Sequence, residues 1–188
     1  MKKLLLISLS AIIFSCTTEV KEELNAVNNE AAFNKNVQTF MDFTKAFGEE
    51  DIDGVMNLFA DSALWSPPEY NSYEWLTKDE LKVALTNYMN AFDNLKFTPG
   101  INLPGGNLVD GFWGGSRYRS DGNENTSSLS SSNPNNIRVY GTWSSTHTES
   151  GKETFSKWYA IVNFNDSGKI VRFNDWFNVD GLQVQINQ

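Results

Sequence analysis

The chain has 188 residues, a net charge of −8 and an aromatic content of 13%. That length suits one domain with a hydrophobic core of ordinary size. No cluster of Lys and Arg offsets the negative charge, which excludes a nucleic-acid binder, because affinity for phosphates rests on basic side chains. The single cysteine, Cys16, excludes a disulfide within the chain.

Met1-Lys2-Lys3 is a short positive start, and the apolar run Leu4–Phe14 is too short to span a bilayer as a mature helix. Ile13-Phe14-Ser15-Cys16 then resembles a bacterial lipobox, although Phe14 stands where a small or aliphatic residue is usual. The resemblance implies a signal peptide over residues 1–15 and a diacylated Cys16 whose acyl chains hold the protein to a membrane. Thr17 beside the cysteine implies sorting to the outer membrane of the cell envelope. The alternative is an ordinary secretory leader cleaved nearby. Residues 16–31 are polar and acidic and read as a flexible tether, leaving residues 32–188 as the domain.

The first amphipathic helix is predicted over Ala32–Gly48, where Phe33, Val37, Phe40, Met41, Thr44 and Phe47 fall on one stripe and Gly48 suits the end. A second covers Ile52–Phe59 with Asp51 as N-cap. Ala63–Ser66 reads as a short strand stopped by Pro67-Pro68, and a loop carrying Tyr70, Tyr73 and Trp75 follows. A third helix is predicted over Thr77–Asn94, opened by the capping box Thr77-Lys78-Asp79-Glu80 and burying Leu81, Leu85, Tyr88, Met89 and Phe92.

Leu95–Leu103 and Asn107–Tyr118 are candidate strands, the second weakened by Gly111, Gly114 and Gly115. Residues 120–136 are rich in Ser and Asn and read as an inserted surface loop. Ile137–Thr148, Thr154–Phe164 and Ile170–Phe177 complete the strands. The last two form a hairpin around Asp166-Ser167-Gly168-Lys169. Pairing Asn165 with Ile170 sets Phe164 opposite Val171, Val162 opposite Phe173, Ala160 opposite Asp175 and Trp158 opposite Phe177. One face is then apolar except for Asp175, and a one-residue slip would scramble that segregation. The other face carries Tyr159, Arg172, Asn174 and Trp176, a surface suited to a second copy of the chain.

Residues 51–63, DIDGVMNLFADSA, together with FNDSGKIV (164–171) and Asp175-Trp176-Phe177, resemble the helix-to-strand signature and the terminal hairpin of the nuclear transport factor 2-like superfamily. The resemblance implies an α+β fold, a cone-shaped barrel in which three N-terminal helices pack into a strongly curved antiparallel sheet. That scaffold hosts isomerases, polyketide cyclases, dehydratases and many non-enzymes, so it leaves function open. Aligned through the two signatures, the catalytic positions of the steroid-isomerase branch fall at Phe43, Pro67 and Ala160. None of these can donate or take the proton that chemistry needs.

If Ser145 faces Ala160 on the neighbouring strand, Trp143, Ser145 and His147 join Trp158, Val162, Phe173, Asp175 and Phe177 on the concave wall. The polyketide-cyclase-like branch also uses a carboxylate and a His, which Asp175 and His147 resemble. Apolar walls would raise the pKa of Asp175; the alternative is a carboxylate that accepts a hydrogen bond from Tyr or backbone near the cone's mouth. Phe43, Trp65, Tyr70 and Tyr73 are further candidates to line or cover a ligand. One His among scattered acids offers no metal-ligand cluster, and neither metal nor cofactor is expected. The expected function is non-catalytic binding of a small hydrophobic molecule or a protein partner. The alternative is a cyclase, isomerase or hydrolase using Asp175 with His147.

Overall fold

The computed structural model describes residues 4–102, 108–109, 111–114 and 133–188, with side-chain surroundings from residue 24 onward. Among the described residues four helices, α1 (Leu4–Gly48), α2 (Ile52–Asn57), α3 (Lys78–Ala91) and α4 (Val179–Asn187), accompany nine strands. The strands are β1 (Phe59–Ser66), β2 (Leu76–Thr77), β3 (Phe92–Pro99), β4 (Ile101–Asn102), β5 (Leu108–Val109), β6 (Phe112–Gly114), β7 (Asn136–His147), β8 (Glu153–Phe164) and β9 (Ile170–Trp176).

Helix α1 starts well before the expected Ala32, and residues 16–31 are helical where a flexible tether was expected. No Gly or Pro interrupts residues 4–47, so nothing stops the helix from propagating N-terminally. Among the side chains described, Leu24 and Val27 are exposed and Phe33 is the first that is buried. The C-terminal end closes in a Schellman motif. The Asp51 N–H reaches Ala46 O at 2.9 Å and the Glu50 N–H reaches Phe47 O at 3.2 Å, with Glu50 at φ +58°. Gly48 is therefore not the left-handed residue. It is glycine because Leu95 O of β3 passes so close that a Cβ would lie 2.6 Å from it.

Asp51 caps α2 by accepting from the Gly54 N–H at 2.8 Å. The helix stops at Asn57, two residues earlier than expected, because Phe59 is taken into β1 beside Ile170. The capping box of α3 forms as expected: Thr77 N–H donates to Glu80 at 2.7 Å, and Glu80 N–H donates to Thr77 Oγ1 at 3.3 Å. Helix α3 ends at Ala91, and Phe92, expected on its buried stripe, opens β3 opposite His147.

The main sheet runs β2-β1-β9-β8-β7-β3, with β6 also paired to β7. It is antiparallel except between β1 and β9, which run parallel. The sheet curls without closing. Helix α3 packs on both β1 and β3, which stand three strands apart in that order. The core is aromatic. Phe40 is fully buried, with ring centroids of Phe43, Phe97, Phe112 and Trp158 at 5.4–5.9 Å. On the outer face Trp113, Tyr140, Tyr159 and Trp176 stack across β6, β7, β8 and β9 at 4.6, 4.6 and 5.1 Å.

The terminal hairpin keeps the expected pairs Val162–Phe173 and Ala160–Asp175 but not Phe164–Val171. The turn is one residue tighter than expected. Asn165 N–H donates to Lys169 O at 3.0 Å, Gly168 lies at φ +82°, and Asn165 Oδ1 accepts from the Ser167 and Lys169 N–H groups. A bulge at Val171 absorbs the slip, so Phe164 pairs with Ile170 and Ile170 is fully buried instead. The β7–β8 register also differs from expectation: Ser145 faces Thr154, not Ala160. The offset of six residues is even, so Trp143 and Ser145 keep their inward side, while His147 is carried beyond the pocket. Of the loop at 120–136, residues 120–132 lie outside the described residues.

Candidate functional site

Strand alternation turns Asp175 inward from β9, and its carboxylate is buried. Two indoles hold it. Trp65 on β1 donates from Nε1 to Oδ1 at 3.0 Å, and Trp158 on β8 donates from Nε1 to Oδ2 at 3.0 Å. Burial pushes the carboxyl up to about 6, against the pull of the two indole hydrogen bonds, and the Glu69 carboxylate adds to the rise. The raised pKa and the hydrogen bonds are thus present together, but the side-chain donors are two indoles rather than the expected Tyr.

Asp175 stands between two spaces. Inward lies a chamber of about 90 Å³, walled mainly by aromatic rings, Phe43, Phe47, Trp143 and Trp158 among them. Outward lies a cleft of about 400 Å³ bordered by Trp65, Pro68, Glu69 and α3. Leu85, Tyr88, Phe92, Phe173 and Phe177 border both, so these four rings, one leucine and Asp175 form a neck. The Tyr88 hydroxyl is driven to a much higher pKa by burial, then by the Glu69 and Asp175 charges, and stays neutral. The chamber's remaining polar groups are hydroxyls, and Ser145 Oγ and Thr154 Oγ1 bond each other at 2.7 Å.

Of the expected lining residues, Phe43, Trp143, Ser145, Trp158, Phe173 and Phe177 border the chamber, and Trp65 borders the cleft. Val162 does not: it is fully buried in the core beyond the chamber. Tyr70 and Tyr73 are 78% and 84% exposed and pack on each other, away from the cavity. Their loop is drawn off by Trp75, which lies under the Arg172 guanidinium at 5.6 Å on the outer face.

His147 also lies outside. It ends β7, its Nδ1 pairs with Ser150 Oγ at 2.9 Å within the turn, and its ring packs on Phe92. The expected Asp175–His147 pair is not assembled. Sequence reasoning missed Thr154, Tyr88 and Leu182. The β7–β8 register would have found Thr154, and Tyr88 was read only as core. Leu182 belongs to α4, an element not expected at all, whose one signal is the N-cap Asn178 accepting from the Gly181 N–H at 2.9 Å. Helix α4 docks through Gln185, which accepts from Phe155 N–H at 2.9 Å and donates to Phe155 O at 3.0 Å. Among the described residues no group of three or more His, Cys, Asp or Glu is placed to hold a metal. Nor is any described helix long and apolar enough to cross a membrane.

No family model matches the sequence, and no curated protein sequence matches it. Solved structures do match. A proposed isomerase from Bacillus subtilis superposes with a TM-score of 0.60 at 15% identity, over 83% of this chain and 95% of that one. A nuclear transport factor 2-like protein from Burkholderia pseudomallei gives 0.54 at 20% identity, over 82% and 98%. The chain has the nuclear transport factor 2-like fold. A proposed polyketide cyclase from Xanthomonas campestris shares this fold at a TM-score of 0.56 and 10% identity, over 82% and 98%. Within the nuclear transport factor 2-like cone of this chain, Phe43 is a buried ring against Phe173, and Ala160 is the flat partner opposite Asp175. The one acid of the chamber therefore comes from β9.

Proposed function

We propose that the protein binds a small, mainly apolar molecule in the aromatic chamber, without converting it, while anchored in the cell envelope through a lipidated Cys16. The observation that carries this reading is the neck: four rings beside a single carboxylate, leading to a chamber where, among the described residues, Asp175 and the neutral Tyr88 are the ionisable groups. Such a site buries apolar surface and offers one polar group for orientation. Release of a bound molecule on mild denaturation of the purified protein, followed by mass spectrometry, tests it. Recovery of a compound in stoichiometric amount supports it; an empty protein that no member of a broad lipophile panel stabilises against heat overturns it.

One observation favours a second reading. A carboxyl raised to about 6 beside a cavity is poised to exchange a proton near neutral pH, so Asp175 alone would serve as acid or base in an isomerase, cyclase or hydrolase. His147 takes no part. Turnover of a pocket ligand that disappears in Asp175→Asn while binding persists would establish this reading over the first.

The same proposal places a second copy of the chain on the outer face, across the stacked Tyr140, Tyr159 and Trp176. Sedimentation as a monomer at high concentration would remove that part.

A further inference from the structure

Among the described residues the charges around the site have one sign: Asp175 borders the chamber and the cleft, Glu69 borders the cleft, and no described Lys, Arg or His borders either space. An anionic occupant would meet two carboxylates and no compensating charge. A neutral apolar occupant would leave the buried carboxylate with only its two indole donors, although its two oxygens offer about four acceptor positions. Among the described side chains only these two indoles donate to it, with its own backbone N–H adding a weaker contact.

The walls point the same way. The faces of aromatic rings carry negative potential and attract cations, most strongly where water is excluded. The neck brings Tyr88, Phe92, Phe173 and Phe177 around the acid, with Tyr88 and Phe177 centroids 6.2 Å apart at 69° and Tyr88 and Phe92 5.9 Å apart at 23°. Aromatic rings and one anion thus border a single passage between the two spaces. A buried cation is costly unless it is paired, and here the pairing anion is already fixed by Trp65 and Trp158.

We propose that the occupant is a cation, an amine or quaternary ammonium with apolar substituents, seated in the neck against Asp175 with its substituents among the chamber rings. This rests on the pocket-binding reading above and names the ligand class. Glu69 at the outer rim draws the cation toward the cleft, and Asp175 holds it.

Two probes of equal shape test it: choline, and 3,3-dimethylbutan-1-ol, in which carbon replaces the charged nitrogen. Binding is followed by the fluorescence of Trp65, Trp143 and Trp158. Choline is expected to bind at least about tenfold more tightly than the alcohol. That preference should collapse toward parity in Asp175→Asn. A measurement on the unmodified protein guards against a variant that fails to fold. Choline affinity should fall between pH 7.5 and 5 as Asp175 takes up its proton, and the alcohol's affinity should not. The titratable groups facing Asp175 are Glu69 from the loop after β1 and Tyr88 from α3; those facing it from β1 and β8 are indoles. Glu69→Gln assayed in parallel should retain the pH dependence. Equal or stronger binding of the alcohol overturns the cation while leaving the pocket reading intact. Failure of both probes at millimolar concentration overturns the cation, and the pocket reading is then decided by the lipophile panel.

Discussion

Trp65 and Asp175 are 110 positions apart in sequence, yet the indole N–H of one donates to the carboxylate of the other at 3.0 Å inside the core. The parallel pairing of β1 with β9, Trp65 beside Phe173, makes the meeting possible. Trp158 completes the bracket from the other side of β9. Trp65→Phe keeps the ring and removes the donor, leaving one oxygen of a buried carboxylate short of a partner. The expected cost is roughly 1–3 kcal/mol at neutral pH, read from urea unfolding. An unchanged midpoint would mean that the bond carries no weight in the fold.

Asp175 should also shape stability against pH. Folding raises its carboxyl from the ordinary 3.8 to about 6, so the native state holds the proton more tightly than the unfolded chain. The contribution favours the native state below the unfolded value and is lost as pH climbs through 6, amounting to about 3 kcal/mol at most. Asp53, held down by its hydrogen bond to Lys82, and Glu80, held down by Thr77, slope the opposite way. The comparison that isolates Asp175 is therefore against Asp175→Asn. Between pH 4 and 7 the stability gap should move in favour of the Asn variant; parallel profiles would contradict this.

Much of the fold is legible in the sequence because its signals are local. The Asp51 cap, the Thr77–Glu80 box and the aromatic stripe of α1 depend only on neighbours within a turn or two. The inward set of the terminal hairpin survives at Phe173 and Asp175 because side-chain parity constrains it, and only at the tightened turn does Ile170 take the place of Val171. What was not legible depends on contacts far apart in sequence. The β7–β8 offset follows from a short turn after His147 that removes His147 from the cavity. Trp65 was legible as an aromatic beside the pocket, but its bond to Asp175 needs the parallel β1–β9 pairing. Helix α4 lacks a buried stripe and is held by the Gln185 amide.

Gly141 carries another such contact. It lies opposite Trp158 on β7, and a Cβ there would sit 2.3 Å from the Phe97 ring and 2.7 Å from Thr98 O. Gly141→Ala should destabilise by about 1–3 kcal/mol through forced repacking of that ring. Thermal unfolding checks it, and a variant as stable as the parent would show that Phe97 can move aside freely.

The lipid anchor has its own test. Cells expressing the full chain and fed labelled palmitate should yield a labelled protein in the membrane fraction. Cys16→Ser should lose both the label and the membrane association. An unlabelled parent protein would remove the anchor and with it the envelope placement.

The most direct measurement is a carbon-13 NMR titration of the Asp175 side-chain carboxyl in the folded protein, assigned by its loss in Asp175→Asn. A midpoint near 6 is expected for an acid buried in the aromatic neck and held by Trp65 and Trp158. A midpoint near 4, the value of a carboxyl in open water, would contradict it.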